Sequence, residues 1–309
     1  MQKIPLIAVV GPTASGKTKL GIELAKAFNG EVVSADSMQV YKGISIASAA
    51  PTAEETCGIP HHLVEFLELG SEFSVADYVN LAKEKINEIY SRGKMPILVG
   101  GTGLYVNSLI DGIDFSSENY DIEIRNRLEK EMEDLGAEAL LQRLAEVDEE
   151  TAKKLHPNNR RRILRALEVY ETTGITFSKQ NELSRVGSEY DAVIIGVTYK
   201  DREKLYERIN LRVDSMLNSG LLDETKTTLD LPNGKGAMQA IGHKELHKYL
   251  RGEQTLEEAV EVLKMQTRRY AKRQLTWFNR NEDIHWLYQD SDDVVNSAIE
   301  IVKGALNNG

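Results

Sequence analysis

The chain has 309 residues, with 38 Lys+Arg against 48 Asp+Glu and a formal net charge of −10. That length suits one large α/β domain or a core with one addition. At 41% hydrophobic and 28% charged residues, the chain reads as a soluble globular protein that buries a core without covalent staples. The single cysteine, Cys57, excludes an internal disulfide and a thiolate metal cluster, which favours a reducing compartment.

The N-terminal apolar run ends at Gly11-Pro12 without a small-residue cleavage pattern, so no signal peptide is expected. No stretch reaches the ~18 uncharged apolar residues of a membrane span. The expectation is a cytoplasmic protein with no membrane partner. Residues 4–10 read as a buried parallel strand and residues 19–28 as a helix stopped by Asn29-Gly30. Glu31–Ala35 is a second strand, closed by Asp36-Ser37. Residues 74–91 show a helical apolar face behind a Ser74 N-cap, and Met95–Val99 is a third strand running into Gly100-Gly101-Thr102-Gly103. Strand, loop, helix and strand in this order predict a parallel α/β sheet with ligands at the strands' C-terminal ends.

Composition changes near residue 115. From Tyr120 to Lys154, and again over Arg160–Thr172, the chain is rich in Glu, Leu, Arg and Ala without strand candidates. The sheet resumes at Tyr190–Thr198. Residues 1–115 and 190–309 are therefore expected to form an α/β core with C-terminal helices, and 116–189 a helical insertion. Everything after Asp201 reads as mostly helical, broken at Leu231-Pro232-Asn233-Gly234.

Gly11-Pro12-Thr13-Ala14-Ser15-Gly16-Lys17-Thr18 matches G-x-x-x-x-G-K-[ST] between a strand and a helix. Such a loop wraps a polyphosphate in backbone N–H groups at a helix N-terminus. Lys17 would reach the terminal phosphates and the Thr18 hydroxyl would ligate Mg²⁺. The loop points to a diphosphate-containing ligand, which need not be ATP. At the next strand end, Asp36 is open to several roles: Mg²⁺ ligand, acceptor-binding group, general base, or a local Asx turn. The third strand ends in a hydroxyl and glycines, where a nucleoside triphosphatase often carries an acid for Mg²⁺. That favours group transfer onto a bound acceptor.

Two basic clusters stand out in this acidic chain. One is His156-Pro157-Asn158-Asn159-Arg160-Arg161-Arg162-Ile163-Leu164-Arg165; the other, from Lys264 to Arg280, holds six Lys/Arg and no acid. On a helical wheel Arg269, Lys272, Arg273, Thr276 and Arg280 form one stripe. Val262, Leu263, Tyr270, Ala271, Trp277 and Phe278 fall opposite it. Two such clusters point to a structured RNA backbone. Arg208 and Arg212, four apart, either pair with nearby Glu or reach the diphosphate. His243 is either catalytic or structural, and Gly58-Ile59-Pro60-His61-His62 reads as a rigid turn without a metal site.

Taken together, these segments resemble the tRNA dimethylallyltransferase (tRNA isopentenyltransferase) family over almost the whole chain. They are GPTASGKT at 11–18, DSMQVY at 36–41, GIPHH at 58–62, VGGTGLY at 99–105, HPNNRRRILRALE at 156–168, the two arginines at 208 and 212, QAIGHKE at 239–245 and TRRYAKRQLTWF at 267–278. The resemblance implies a P-loop NTPase-like core and transfer of a dimethylallyl group from dimethylallyl diphosphate to N6 of the adenosine immediately 3′ of the anticodon. It implies that the loop Gly11–Thr18 and Arg208 hold the diphosphate, with Thr18 on Mg²⁺. Catalysis would fall to Asp36 as general base, with Thr102 and Arg212. The tRNA anticodon stem-loop would meet Asp36, Ser37, Met38, Gln39, Thr102, Arg125, Arg161, Arg162, Ile163, Leu164, Arg165, Arg269, Lys272 and Arg273. A bacterial-type, monomeric enzyme is the expectation. The chain departs from the family pattern at Ala47-Ser48-Ala49-Ala50-Pro51, where G-T-A-K-P is usual, and at His243, where tyrosine is usual. The alternatives are an ATP-dependent small-molecule or nucleoside kinase and a non-catalytic P-loop RNA-binding module.

Overall fold

The computed structural model describes residues 3–115, 121–229 and 240–308. Tyr120, the Leu231–Gly234 break and Gln239 lie outside them. The chain divides into two compact units, Met1–Ile110 with Ser188–Gly309, and Asp111–Gly187.

In the first unit the chain runs β1 (Ile4–Val10), α1 (Lys17–Ala27), β2 (Gly30–Ser34), α2 (Ser45–Ser48), β3 (His61–His62), α3 (Val75–Ser91), β4 (Met95–Gly100) and α4 (Gly103–Ile110). The second unit holds α5 (Ile122–Asp134), α6 (Ala137–Val147), α7 (Glu149–Lys153), α8 (Arg160–Thr173) and α9 (Phe177–Leu183). The first unit then resumes with β5 (Tyr190–Thr198), α10 (Arg202–Asn218), α11 (Leu221–Thr227), α12 (His243–Leu250), α13 (Leu256–Phe278), β6 (His285–Tyr288) and α14 (Val294–Asn308).

The six strands form one sheet in the order β3-β2-β4-β1-β5-β6, every pair parallel. The loop after β1 therefore opens between β4 and β5, where the winding direction reverses, the position at which open α/β sheets hold ligands. Continuous apolar strands are what two covered faces require. Ile7, Val9, Ile97, Ile195 and Val197 pack there with Leu20 and Leu24 of α1 and Ala298 and Val302 of α14. The turn signals act as read: Asn29 takes a left-handed conformation at φ 49° before Gly30 opens β2, and Ser74 and Asp77 form a capping box at the start of α3.

Two strands correct the sequence reading. His61-His62 is not only a turn: it pairs with Val32 and Val33 as an edge strand. The stretch after Asp201 contains β6, paired with Ile195–Thr198. Two- and four-residue strands are too short to display a period. In the second unit, Leu128, Met132, Leu140, Leu144, Ile163, Leu164 and Leu167 form a separate core. Among the described residues no helix is long and apolar enough to cross a membrane.

Candidate active site

The loop between β1 and α1 is shaped by its glycines. A side chain at Gly11 would place Cβ 2.2 Å from the Val197 carbonyl oxygen of β5, so the backbone approaches as closely as it does only because Gly11 has none. Ala14 is held at φ 62°, a conformation that costs a non-glycine residue energy and marks a constrained turn. Side chains from distant elements brace the loop. Gln289, just after β6, donates Nε2–H to the Ser15 carbonyl at 3.1 Å. Gln274 of α13 accepts from the Thr13 N–H at 2.8 Å and donates to the Gly101 carbonyl at 2.9 Å. It is 5% exposed.

Lys17 lies half-buried and donates to the Pro12 carbonyl at 2.6 Å. Burial, and then the positive charge of Arg212, hold its pKa down to about 7, with Asp36 acting in the opposite sense. Burial likewise lowers Arg212, opposed by Asp36 and Glu55. Two cations and one carboxylate thus share a small polar pocket at the end of the sheet.

Asp36 Oδ1 accepts from the backbone N–H of Met38 at 2.9 Å and of Gln39 at 3.4 Å. This is the Asx turn named above as an alternative, and it engages one oxygen. Oδ2 has no hydrogen-bond partner among the described residues, so the turn and a role in chemistry are compatible. Thr102 Oγ1 accepts from the Ser37 N–H at 3.0 Å; the Tyr270 hydroxyl nearby has its pKa pushed up by burial, Asp36 adding to the effect. The turn after β2 is thereby tied to the end of β4, which Gln274 joins to α13.

A cavity of about 500 Å³ is lined by Thr13, Lys17, Thr18, Asp36, Ser37, Met38, Gln39, Arg212, Tyr270, Arg273 and Gln274, with Ala47, Val213, Met216, Ile241 and Leu263 supplying an apolar wall. A second cavity, of about 870 Å³, adjoins it and is lined by Ala14–Lys19, Arg208 and Arg212. Lys17, Thr18, Ala49, Arg212 and Met216 border both. Arg208 is exposed and Arg212 half-buried. Neither makes an ion pair among the described residues.

Among the residues expected at RNA, the structure separates two groups. Arg161 and Arg162 are exposed and make no ion pair among the described residues; Arg269, Lys272 and Arg273 are also exposed. Arg273 lies over the Tyr270 ring, 5.6 Å from its centroid. Ile163 and Leu164 are corrections: at 0% and 5% exposure their side chains belong to the core of the second unit. Arg125 is bonded to Glu129 at 2.7 Å and lies 3.5 Å from Glu168, which also takes Arg165 at 3.2 Å. Glu168 is 1% exposed, so these two arginines balance a buried carboxylate. On α13, Val262 is exposed rather than packed.

His243 is fully buried and bonds Glu224 at 3.2 Å. It lines neither cavity, so it does not touch the reacting groups. Sequence reading missed Gln274, Gln289 and Tyr270 as site residues. The only local signal for Gln274 was an uncharged amide among the cations of 264–280, a segment that also carries Gln266 and Asn279.

Residues 39–281 match the IPP transferase family. The chain is 47% identical over 312 residues to a protein named tRNA dimethylallyltransferase from Thermoanaerobacter sp. (strain X514), covering 98% of this chain and 99% of that one. It is 50% identical over 291 residues to one of the same name from Caldanaerobacter subterraneus, covering 93% and 92%. The full-length tRNA isopentenylpyrophosphate transferase structure from Bacillus halodurans superposes with a TM-score of 0.74 at 44% identity, over 99% of this chain and 98% of that one. A eukaryotic dimethylallyltransferase, described as acting on tRNA, superposes with a TM-score of 0.86 at 32% identity, over 99% and 80%.

Proposed function

The chain belongs to the IPP transferase family, and from that premise we propose that it transfers the dimethylallyl group of dimethylallyl diphosphate to N6 of the adenosine immediately 3′ of the anticodon in tRNA. The observation that carries this reading is one cavity that gathers a phosphate-binding loop, the acceptor-side acid Asp36 and Arg212 against an apolar wall. The transferase names of the relatives give the kinase alternative no support.

In this reading the diphosphate lies on the N–H groups of the loop beside Lys17 and Arg212. The adenosine, extruded from the anticodon loop, brings its exocyclic amine to Asp36. An amine conjugated to a purine is a poor nucleophile, so proton removal must accompany bond formation. The N6 lone pair forms the new bond to C1 of the allyl group as the C1–O bond breaks. The N6 proton passes to Asp36 Oδ2, and the diphosphate leaves with the bonding pair. Its growing charge is met by Lys17, Arg212 and the loop amides. Thr102 acts through Ser37, holding the Asp36 turn in place.

Among the described residues no three His, Cys, Asp or Glu gather as a ready-made metal site. Mg²⁺ binds few protein ligands and takes most of its oxygens from phosphates and water. Thr18 Oγ1 would be its protein ligand, and the ion would neutralise charge on the leaving diphosphate. The enzyme is taken to act as a cytoplasmic monomer on the anticodon stem-loop.

The test uses pure protein, Mg²⁺, tRNA and either dimethylallyl diphosphate labelled in its allyl group or ATP labelled in its γ-phosphate. Label should reach tRNA only from the former; stoichiometric ATP consumption would restore the kinase reading. Asp36→Asn keeps the Oδ1 cap, since Asn and Asp cap comparably, but cannot take a proton. Turnover should fall by ~10²–10⁴ with both substrate affinities nearly unchanged. Near-normal turnover would remove Asp36 from the chemistry.

A further inference from the structure

The segment that parts the two cavities is α2. Ala47, Ser48 and Ala49 line the inner cavity, while Ser45, Ile46, Ala49 and Ala50 line the outer one. A helix of four residues has no stability of its own, so its place must come from outside it. At one end, Gln39 Nε2 donates to the Ala49 carbonyl at 3.1 Å while Gln39 Oε1 accepts from Ser34 at 2.8 Å. At the other end, the Glu224 carboxylate of α11 accepts from two N–H groups of the first turn, Ile46 at 2.8 Å and Ala47 at 2.9 Å. Glu224 is in turn bonded by His243 Nε2 at 3.2 Å. A carboxylate only accepts, so Nε2 carries the proton in this bond. Nδ1 is buried with no partner. The ring therefore has one polar task among the described residues, which is to orient Glu224.

We propose that His243 and Glu224 are positioning residues that hold α2 as the wall against which the allyl tail packs, and so set the enzyme's preference for a prenyl diphosphate over bare diphosphate. This rests on the prenyl-transfer reading given above. The surfaces divide the work: the loop and Arg212 hold the diphosphate from one side, and α2 offers only methyl groups and a small hydroxyl at Ala47, Ser48 and Ala49. Disturbing α2 should cost the tail its apolar contact and leave the phosphate contacts in place.

The experiment measures, by calorimetry on the full chain with Mg²⁺, the affinities for dimethylallyl diphosphate and for inorganic pyrophosphate. The proteins are wild type, Glu224→Ala, His243→Leu and His243→Gln, with thermal melts and wild-type transfer run alongside. In Glu224→Ala, dimethylallyl diphosphate should bind about fivefold to tenfold more weakly, as loss of part of the tail's apolar contact implies. Pyrophosphate affinity should stay within twofold. His243→Leu should go the same way by a smaller factor. His243→Gln, which can present an amide N–H near the place of Nε2, should recover most of the loss. A lowered melting temperature with both ligands unaffected, or both weakened equally, would overturn the proposal and leave the pair a purely structural one. If Glu224→Ala or His243→Leu does not fold, Glu224→Gln decides: it keeps one acceptor oxygen for two N–H groups, and an unchanged ratio of the two affinities in it overturns the proposal. Absence of transfer by the wild type would instead break the prenyl-transfer reading, while the ratio of affinities still reports on α2.

Discussion

Lys17 shows how far a single side chain's chemistry depends on what surrounds it. The motif supplies a lysine; the fold removes water from it and sets Arg212 beside it, so that its pKa comes down to about 7. A bound diphosphate replaces that repulsion with attraction and favours the charged form. The sign follows. Below pH 7 the lysine is already protonated and binding takes up no proton on its account; above pH 7 binding must bring a proton with it. Pyrophosphate affinity should therefore fall as pH rises above 7, and calorimetry in buffers of different ionisation enthalpy should detect proton uptake at pH 8. Lys17→Arg shares the ligand's own titration but keeps its charge, so it should show a flatter profile. Equal slopes in the two proteins would mean that Lys17 is charged throughout.

At the scale of elements, α13 serves two surfaces at once. Its exposed stripe of Arg269, Lys272 and Arg273 was legible as a helical period, as was the buried line of Leu263, Ala271 and Phe278. Gln274 was not, because nothing in a local window says that a buried amide will meet Thr13, 261 residues away, and Gly101, 173 away. The contact is close enough that a Cβ on Gly101 would lie 2.2 Å from Gln274 Nε2, which gives that glycine a packing reason. Gln274→Leu would leave a buried N–H and a buried carbonyl unpaired, at about 1–3 kcal/mol each. It would also loosen the phosphate loop from the strand end that carries Thr102. A lower melting temperature is expected, together with turnover reduced by about tenfold to a hundredfold through misplacement of reacting groups. Wild-type turnover in a destabilised Gln274→Leu protein would confine the residue to stability.

At the scale of the whole molecule, a net charge of −10 coexists with basic faces, and the fold decides which arginines are available to an RNA. Arg161 and Arg162 are exposed, whereas Arg125 and Arg165 share the buried Glu168. Replacing Arg161 and Arg162 by Ala should weaken tRNA binding and reduce the slope of log affinity against log salt by about 1.4 to 1.8, the counterions of two phosphate contacts. Dimethylallyl diphosphate binding should persist. Arg125→Ala should instead lower thermal stability with little change in that slope, since it strips a partner from a buried carboxylate. An unchanged slope in the double variant would make the 161–162 pair a solvated face only.

The parallel α/β plan, the phosphate loop, the helical character of the segment after residue 115 and the kinship with the tRNA dimethylallyltransferases are legible in the chain alone. Each of these is written in local pattern: apolar runs, a glycine spacing, caps such as Ser74, and motifs in fixed order. The remainder depends on how the elements pack. Packing buried Ile163 and Leu164, spent Arg125 and Arg165 on Glu168, split Asp36 between a turn and an open oxygen, and brought Gln274 and Gln289 to the loop. It also joined Ala47 to His243 through Glu224. The reason is physical. A local pattern fixes which face of an element is apolar, but the partner of a polar group is chosen by which elements the core brings together. Burial then makes that choice costly to leave unmet.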